Sequence, residues 1–596
     1  MPNNPIGLFL GIDEVFPGAP KDFTTFKTLL SHLSLTDTLF WCARTNLLLS
    51  NARNTNQASK QDYVIQSFLS PATVSHISNI IAQHGGLSRV QVFHRPQLLE
   101  LFRWACLLCE NQTGDGNTFN NPATIETFAK TAIIASDLWV ERIRLRERFV
   151  TGTGIEDARI ASLDTIRKNF EATSIGLDPL KALGRSYAIF CEYFPRYYPT
   201  AVADFVAATG LSFEEFFACS TLIVSHYLNV TPESINQQPP GLGIFHATQC
   251  LTGATQALNT TFTQYLSLES QTIQDLKPKL SNGASPDSAS AIGPFDYNAL
   301  RNRPILRSDD NRAIVIDPVF FTEKILAGPL FHLLERYRPQ ANALFAAYGK
   351  AFEAYTGAIL AKMFDGHSPN PLKTGIMGTS SDGSQIEVTD AALAFGRTVF
   401  LFELKAVWMR EDTMLTDDPT TYANHLRAKY GANPGSNKEK GVAQLAKSIN
   451  KLVRSEWSCR TLPIKPHATL YPILLVNDPL ISTPIHSSFL ADEFKRLLAP
   501  DSIASNGTMI KGSWKVLPLI LMSIQDLEDL ETSTQYFSFR EFLLDYDATC
   551  KDRVISVHNY MGTSPKYRDR LKHSIFVINY SEKAMSEATA LLRGPA

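Results

Sequence analysis

One short segment, Thr398 to Val407, constrains the fold of this chain more than any other feature. It reads TVFLFELKAV, a run of β-branched and large apolar residues that is typical of a strand covered on both faces. Because side chains alternate along a strand, Glu403 and Lys405 are expected to share one face with Val399 and Leu401. A carboxylate and an ammonium inside such a strand are unfavourable unless each has a partner. The segment therefore predicts a central strand that carries a polar site.

A neighbouring strand supplies a second carboxylate. Residues 385–394 and 398–407 are joined across Phe395-Gly396-Arg397, which predicts a hairpin with Asp390 on its first strand. Two carboxylates that converge on one point repel each other unless a divalent cation lies between them, and oxygen ligands with open water positions suit Mg²⁺ or Mn²⁺. A lysine beside such an ion stabilises a negatively charged centre or holds an attacking water. The pattern predicts hydrolysis of a phosphodiester.

These residues carry a resemblance to a known family. Asp390 in IEVTDAALAF, followed by Glu403-Leu-Lys405, resembles the PD-(D/E)XK nuclease superfamily, whose members have the restriction-endonuclease-like fold, over about residues 340–480. Thr389 stands where the family's nominal proline precedes the aspartate. The resemblance implies an Mg²⁺- or Mn²⁺-dependent endonuclease in which Asp390 and Glu403 bind the metal and Lys405 orients water. A second Glu-x-Lys, Glu493-Phe-Lys495, lies in the helical run SSFLADEFKRLLA, where positions i and i+2 point apart.

Two flanking helices extend the resemblance. The upstream stretch 345–364 carries an apolar stripe, with Glu353 at its edge. The members of that stripe are Phe345, Tyr348, Phe352, Tyr355 and Ile359. The resemblance implies that Glu353 is a third metal ligand. The downstream stretch KGVAQLAKSINKLV presents Gln444 on its polar face, and the resemblance implies that Gln444 supports the catalytic site.

Other interpretations of the same residues stay open. Glu403 and Lys405 are also compatible with a structural ion pair, and Asp390 with a polar residue of a hairpin. Glu353 and Gln444 are also compatible with solvated helix positions. Asp382 and Glu387 are nearby acids, but Asp382 lies in the turn-like Ser380-Ser-Asp-Gly383 and alternation places Glu387 on the opposite strand face from Asp390.

Substrate contacts are predicted from local charge, because the whole chain has a net charge of only -2. Between Arg427 and Lys465 basic residues outnumber acidic ones, which favours contacts with phosphates. The predicted contacts are Lys438, Lys440, Lys447, Lys451 and Arg454. A solvated helix face is the alternative. The preceding stretch, residues 411–436, is expected to be a long loop.

The length of 596 residues predicts two to four domains. We expect a multidomain chain with a mainly α-helical N-terminal region and an α/β restriction-endonuclease-like core, its mixed central sheet flanked by helices. The predicted ranges are 1–280 for a helical recognition, regulatory or assembly region, 281–295 for a linker, 296–340 for a hairpin and connecting helix, 341–548 for the nuclease-like domain and 549–596 for a C-terminal extension. Dispersed cysteines and the lack of a long apolar segment favour a cytoplasmic protein without a membrane partner.

The expected function is metal-dependent cleavage of nucleic acid, with DNA favoured over RNA. In this superfamily, a large region fused to such a core suggests prokaryotic antiviral defence or DNA processing, acting as a homo-oligomer or with a defence-system partner. One alternative is a catalytically inactive nuclease-fold protein that serves as a nucleic-acid-binding or assembly subunit. A further alternative is a ribonuclease that uses the same residues.

Overall fold

The computed structural model describes most of the chain. Residues outside the description are 1–7, 51–56, 110–120, 148–153, 173–177, 229–243, 247–255, 282–291, 294–295, 310, 381–382, 410, 417, 433–438, 459–461, 463, 465–466, 505–506, 552, 554 and 594–596. The predicted linker 281–295 lies mostly outside the described residues, as does Lys438.

The described part of the N-terminal region is mainly helical, as predicted. Its helices are Ile12–Val15, Phe23–Ser31, Leu35–Ser50, Gln57–Phe68, Pro71–Gln83, Arg95–Leu108, Pro122–Glu147, Ile155–Ala172, Pro179–Tyr187, Phe194–Tyr197, Ala201–Thr209, Phe213–Leu228, Gln256–Glu269 and Ile273–Leu280. A π-helical turn, Ala188–Tyr193, joins two of them into one continuous run.

Short strands accompany these helices. Strand β1 (Leu8–Phe9) pairs in parallel with β2 (Val90–Gln91). A small sheet has the order β3-β6-β5-β4. Its strands are β3 (Ile244–His246), β4 (Ser270–Thr272), β5 (Ile305–Arg307) and β6 (Arg312–Val315). Strands β5 and β6 form the hairpin that the sequence predicts on either side of residues 308–312.

The C-terminal part combines helices with a large sheet. Its helices are Asn298–Asn302, Pro318–Arg336, Ala341–Met363, Glu411–Leu415, Pro419–Tyr430, Val442–Val453, Pro484–Leu498, Ile524–Ser533, Phe539–Thr549, Val557–Thr563 and Ile575–Arg593, with 3-10 turns at Arg338–Gln340 and Arg568–Arg570. Its strands are β7 (Leu372–Ser380), β8 (Gln385–Phe395), β9 (Thr398–Lys405), β10 (Trp457–Ser458), β11 (Thr469–Val476), β12 (Ser502–Ile503), β13 (Met509–Lys511), β14 (Trp514–Val516) and β15 (Ile520–Ser523).

These nine described strands form one mixed sheet. Its order is β10-β7-β8-β9-β11-β14-β13-β12, and β15 also pairs with β11. Strands β7, β8 and β9 are antiparallel neighbours, whereas β11 runs parallel to β9, β14 and β15. The predicted strand β9 therefore lies in the middle of the sheet, between β8 and β11.

Both faces of the sheet are covered, as the apolar run in β9 predicts. Phe400, Phe402 and Leu404 belong to a core that extends through the helix Ala341–Met363 into the N-terminal helices. Val399 and Leu401 belong to a second core with the helices Pro419–Tyr430, Val442–Val453 and Pro484–Leu498. Alternation along the strand therefore places Glu403 and Lys405 on the side of the second core.

One sequence-based expectation was wrong in this region. Residues 411–436 were expected to be a loop, but Asp418 caps the helix Pro419–Tyr430 by accepting hydrogen bonds from the N–H groups of Thr420 and Thr421. Further along the chain, residues 514–523 form two strands, β14 and β15, which pair with different ends of β11. Pro518 lies between them and has no N–H for a continuous ladder.

The last helix, Ile575–Arg593, packs against the N-terminal region. The Ser581 hydroxyl donates a hydrogen bond to the Leu180 carbonyl over 2.8 Å, and the Tyr580 hydroxyl donates to Glu192 over 2.7 Å. Residues distant in sequence therefore share one core, and the domain boundaries given above stay predictions.

Within the described ranges, no single helix has both the length and the hydrophobicity to cross a membrane. One bent pair, Ala201–Thr209 with Phe213–Leu228, meets that test only when its two helices are taken together.

Candidate functional site

The hairpin of β8 and β9 brings Asp390 to the backbone of the Glu-Leu-Lys strand. The last backbone rung between the two strands pairs Ala391 with Phe402. Beyond it, the Thr389 hydroxyl donates a hydrogen bond to the Phe402 carbonyl, and the Leu404 N–H donates to Asp390 Oδ2 over 2.7 Å. Side chains thus replace the next rung of the ladder, which fixes Asp390 beside the segment that carries Glu403.

Among the described residues, Glu403 is a fully buried carboxylate with one close charged partner. Its exposed fraction is 0%, and Lys405 Nζ lies 2.5 Å from Glu403 Oε1, where the two groups form an ion pair. Oε2 of Glu403 has no hydrogen-bond donor among the described residues. A buried carboxylate with an unsatisfied oxygen is unfavourable, so the site favours an additional cation near Glu403.

The pKa values reflect this burial. Removal from water raises the pKa of Glu403 to about 8, against the opposing attraction of Lys405, and the nearby Asp390 raises it further. Burial likewise raises the pKa of Asp390 to about 6. Although burial favours the neutral amine, the carboxylates of Glu403 and Asp390 raise the pKa of Lys405 above its usual value. Lys405 therefore stays charged when both acids titrate.

Glu353 contributes its charge from the helix Ala341–Met363. Its carboxylate raises the pKa values of both Asp390 and Lys405, so it lies within electrostatic range of the site. Its Oε2 also accepts a hydrogen bond of 2.7 Å from Lys350. The proposed role of Glu353 as a metal ligand stays a prediction.

Lys350 is a residue of this site that the sequence analysis missed. Hydrogen bonding to Glu353 raises the pKa of Lys350, with further contributions from the charges of Glu387 and Asp390. Its side chain is 53% exposed, so it presents an ammonium to solvent at the edge of the acidic cluster, which consists of Asp390, Glu403 and Glu353. The i, i+3 spacing to Glu353 was the available signal, but such pairs are common on solvated helix faces.

A β-bulge changes the position expected for Glu387. The register between β7 and β8 shifts after Ile376, which pairs with Thr389, so that Met377 pairs with Glu387 and Val388 is the extra residue. Simple alternation beyond a bulge no longer holds. Glu387 is exposed, but its charge raises the pKa values of both Asp390 and Glu403. Asp382, the other nearby acid, lies outside the described residues.

Gln444 lies in the first turn of the helix Val442–Val453, and this end of the helix is the one closer to Lys405. The helix Val442–Val453 begins after Gly441, which is placed against the carbonyl of Tyr430. The Tyr430 hydroxyl donates to the Val407 carbonyl over 2.9 Å, two residues beyond Lys405. The last helical residue, Val453, instead lies near Gly512, at the turn between β13 and β14. Gln444 is half-buried in the first helical turn, and its contact with the acidic cluster stays a prediction.

The predicted phosphate-contacting residues follow the polar face of the same helix. Lys440, Lys447 and Arg454 are exposed, and Lys451 is half-buried. Lys447 forms an ion pair with Glu439, and Arg454 lies 3.6 Å from Glu456. The positive face is thus partly neutralised, and it extends from the end near Lys405 towards the far end of the helix.

The carboxylates of Glu403 and Asp390 meet part of what a divalent cation requires of its ligands. Among the described residues, no three His, Cys, Asp or Glu side chains are placed to ligate one ion together. Mg²⁺, however, is often bound through one or two carboxylates, with waters and substrate phosphates as its other ligands. Oε2 of Glu403 and the neighbouring carboxylate of Asp390 meet that smaller requirement.

The chain was also compared with known proteins. No protein-family model, curated protein or solved structure gives a significant match.

Proposed function

We propose that this chain is a metal-dependent nuclease that hydrolyses phosphodiester bonds, with DNA as the favoured substrate. The observation that supports this proposal best is Glu403, a fully buried carboxylate beside Asp390 whose Oε1 pairs with Lys405 and whose Oε2 has no donor among the described residues. A structural ion pair alone would leave this buried carboxylate incompletely satisfied. A binding site for Mg²⁺ or Mn²⁺ gives the same residues a reason to be together.

In this proposal each side chain has a distinct role. Glu403 and Asp390 would hold the cation, with Glu353 as an additional acid near it. Such an ion, when bound, would supply Lewis-acid polarisation of the phosphodiester and would make water a stronger nucleophile. Lys405 offsets the negative charge that develops on the phosphate or orients the attacking water. Gln444 supports the site from the next helix.

The finer identity of the fold is part of the same proposal. A helix precedes the β7–β9 strands, and another helix lies between β9 and the parallel strand β11. These are the two flanking helices on which the resemblance to the PD-(D/E)XK superfamily depends. We propose on this basis that residues 341–548 form a restriction-endonuclease-like core.

The test is cleavage of plasmid DNA, single-stranded DNA and RNA by the purified chain, with Mg²⁺, Mn²⁺ or EDTA. We expect cleavage that requires the metal and is lost in Glu403→Gln and Lys405→Ala. Lys495→Ala is the matched control, because Lys495 belongs to the second Glu-x-Lys and is exposed on the helix Pro484–Leu498. Cleavage that persists in EDTA or in both site variants would reject the proposal. Binding without cleavage would favour an inactive nuclease-fold protein, and cleavage of RNA alone would favour a ribonuclease.

A further inference from the structure

Two exposed phenylalanines and a half-buried tryptophan lie on or beside the elements that carry the candidate site. Phe331 and Phe345 are 47% and 46% exposed, although each belongs to an otherwise well-packed helix. The Phe331 ring lies 6.1 Å from that of Trp408, and Trp408 lies 4.9 Å from Tyr348, one helical turn after Phe345. We call Phe331, Phe345 and Trp408 the aromatic surface. Phe345 was expected to be part of the buried stripe, so its exposure corrects that expectation.

The aromatic surface is continuous with the acidic cluster along the chain. Trp408 follows Lys405 by three residues, so their Cα atoms are separated by at most about 10 Å. Lys350, which contacts Glu353, lies five residues after Phe345 on the same helix. Trp408 packs against the first core, whereas Glu403 and Lys405 face the second. A nucleic-acid strand that contacts both would therefore pass over the carboxyl end of β9.

Basic side chains flank the aromatic surface. Between residues 331 and 350 the cations Arg336 and Arg338 are exposed, against the one exposed acid Glu335, while the exposed Lys350 pairs with Glu353. Neither Arg336 nor Arg338 forms an ion pair within the described part of the chain. Exposed rings bordered by basic residues are the combination that binds single-stranded nucleic acid, because bases stack on rings while the basic residues contact phosphates.

We infer that the aromatic surface stacks unpaired nucleobases, and that the substrate of the proposed nuclease is single-stranded or locally unpaired nucleic acid. This inference rests on the proposed function for the adjacent site. In a duplex the faces of the bases are covered by neighbouring bases, so only unpaired bases can use these rings. Neither the Glu-x-Lys pattern nor the basic helix indicates this preference.

The experiment measures binding in EDTA, where the proposed cleavage cannot occur, to fluorescent oligothymidylate and to an abasic strand of equal length. We expect tighter binding of oligothymidylate, a loss of at least about fivefold in Phe331→Leu, and unchanged binding of the abasic strand. Phe331→Tyr keeps the ring and should bind as the wild type does. Phe345→Leu should behave as Phe331→Leu does.

Three results would overturn the inference. They are failure to bind either strand, equal affinity for both strands, and an equal effect of Phe331→Leu on both. A change of oligomeric state in Phe331→Leu, measured by sedimentation, would instead assign the rings to an interface between two copies. Ring-dependent binding without metal-dependent cleavage would reject the proposed nuclease activity and support base stacking on the aromatic surface. Metal-dependent cleavage without ring-dependent binding would support the nuclease activity and reject base stacking.

Discussion

The Arg185 guanidinium binds the Glu528 carboxylate through two hydrogen bonds, of 2.7 and 2.6 Å, in the protein interior. The side chains are 5% and 0% exposed, and the Tyr355 hydroxyl donates a third hydrogen bond of 2.7 Å to Glu528. These residues come from the helices Pro179–Tyr187, Ile524–Ser533 and Ala341–Met363. The network therefore ties the N-terminal region to the helix that carries Glu353.

Breaking this network from one side should strongly destabilise the fold. We expect Arg185→Met to lower the free energy of unfolding by about 3–5 kcal/mol, because it leaves the Glu528 carboxylate buried without its cation. Adding Glu528→Met should recover most of that loss. Lys583→Met is the control, because Lys583 pairs with Glu192 at an exposed position and such pairs contribute about 0–1 kcal/mol. Chemical unfolding of the four proteins measures the effect, and equal losses in the single and double variants would contradict it.

Removing the charge of Glu403 should separate activity from stability. We expect Glu403→Gln to lower metal-dependent cleavage by on the order of 100-fold or more, because a bound ion contributes several kcal/mol to the transition state. The melting temperature above about pH 8 should stay the same or rise, since a buried carboxylate is there replaced by a neutral amide. Glu456→Gln, at a partly exposed position, is the control. A large loss of stability together with activity would instead indicate a structural ion pair.

The stability of the metal-free protein should depend on pH through the same acids. Because folding raises the pKa values of Asp390 to about 6 and of Glu403 to about 8, the folded state keeps protons that the unfolded state releases. The free energy of unfolding contributed by these groups is therefore highest below about pH 4 and falls as the pH rises to about 8. Lys405 stays protonated throughout, since the neighbouring carboxylates raise its pKa above the usual value for lysine.

Melting curves in EDTA across this pH range, for wild type, Asp390→Asn and Glu403→Gln, measure that dependence. Glu403→Gln should flatten the fall in melting temperature up to about pH 8. Asp390→Asn should flatten the part of that fall that lies below about pH 6. Added Mn²⁺ should stabilise the wild type increasingly over the same range, because metal ligands must lose their protons. Parallel curves for all three proteins would show that neither acid titrates with a raised pKa.

The sequence was sufficient to predict the centre of the sheet. The apolar run around Glu403 and Lys405 is covered on both faces when it forms a strand in the middle of a sheet. Its hairpin partner precedes it across a short turn, in which Gly396 has a φ of +66°. The helix Val442–Val453 was equally predictable, because its apolar residues repeat with helical spacing and form its buried face. Periodicity of this kind is local, so it can be read without knowledge of distant residues.

Other features depend on contacts that local patterns do not encode. The bulge at Val388 is set by pairing with β7, and it brings the charge of Glu387 towards Asp390. The exposure of Phe345 follows from which helices pack nearby, since an apolar side chain alone does not indicate burial. The helix Pro419–Tyr430 was different, because Asp418 followed by Pro419 is a recognisable helix start that was interpreted as a loop.

The basic helix gives a prediction about salt. If Lys447 contacts a phosphate, Lys447→Ala should weaken binding of nucleic acid and reduce the slope of log affinity against log salt by about 1. The ion pair between Lys447 and Glu439 must open before Lys447 can contact a phosphate. The loss of affinity in Lys447→Ala is therefore expected to be smaller for a nucleic acid of low charge density, which competes less well with Glu439. Lys21→Ala, in the N-terminal region, is the control and should leave the slope unchanged. An unaltered slope in Lys447→Ala would identify this face as merely solvated.

Gly441 should be the most sensitive glycine of the candidate site. A Cβ atom at this position would lie 2.4 Å from the Tyr430 carbonyl oxygen, and the backbone has φ +51° and ψ -117°, a conformation that L-residues rarely adopt. Gly441→Ala should therefore displace the start of the helix that carries Gln444 and lower the free energy of unfolding by about 1–3 kcal/mol. Gly366→Ala separates backbone strain from the steric clash with Tyr430. Gly366 also has a positive φ, +77°, but has open space around it. A larger loss of stability and of metal-dependent cleavage in Gly441→Ala than in Gly366→Ala would show that close packing against Tyr430 positions this helix beside Glu403, whereas equal losses would assign the whole effect to backbone conformation.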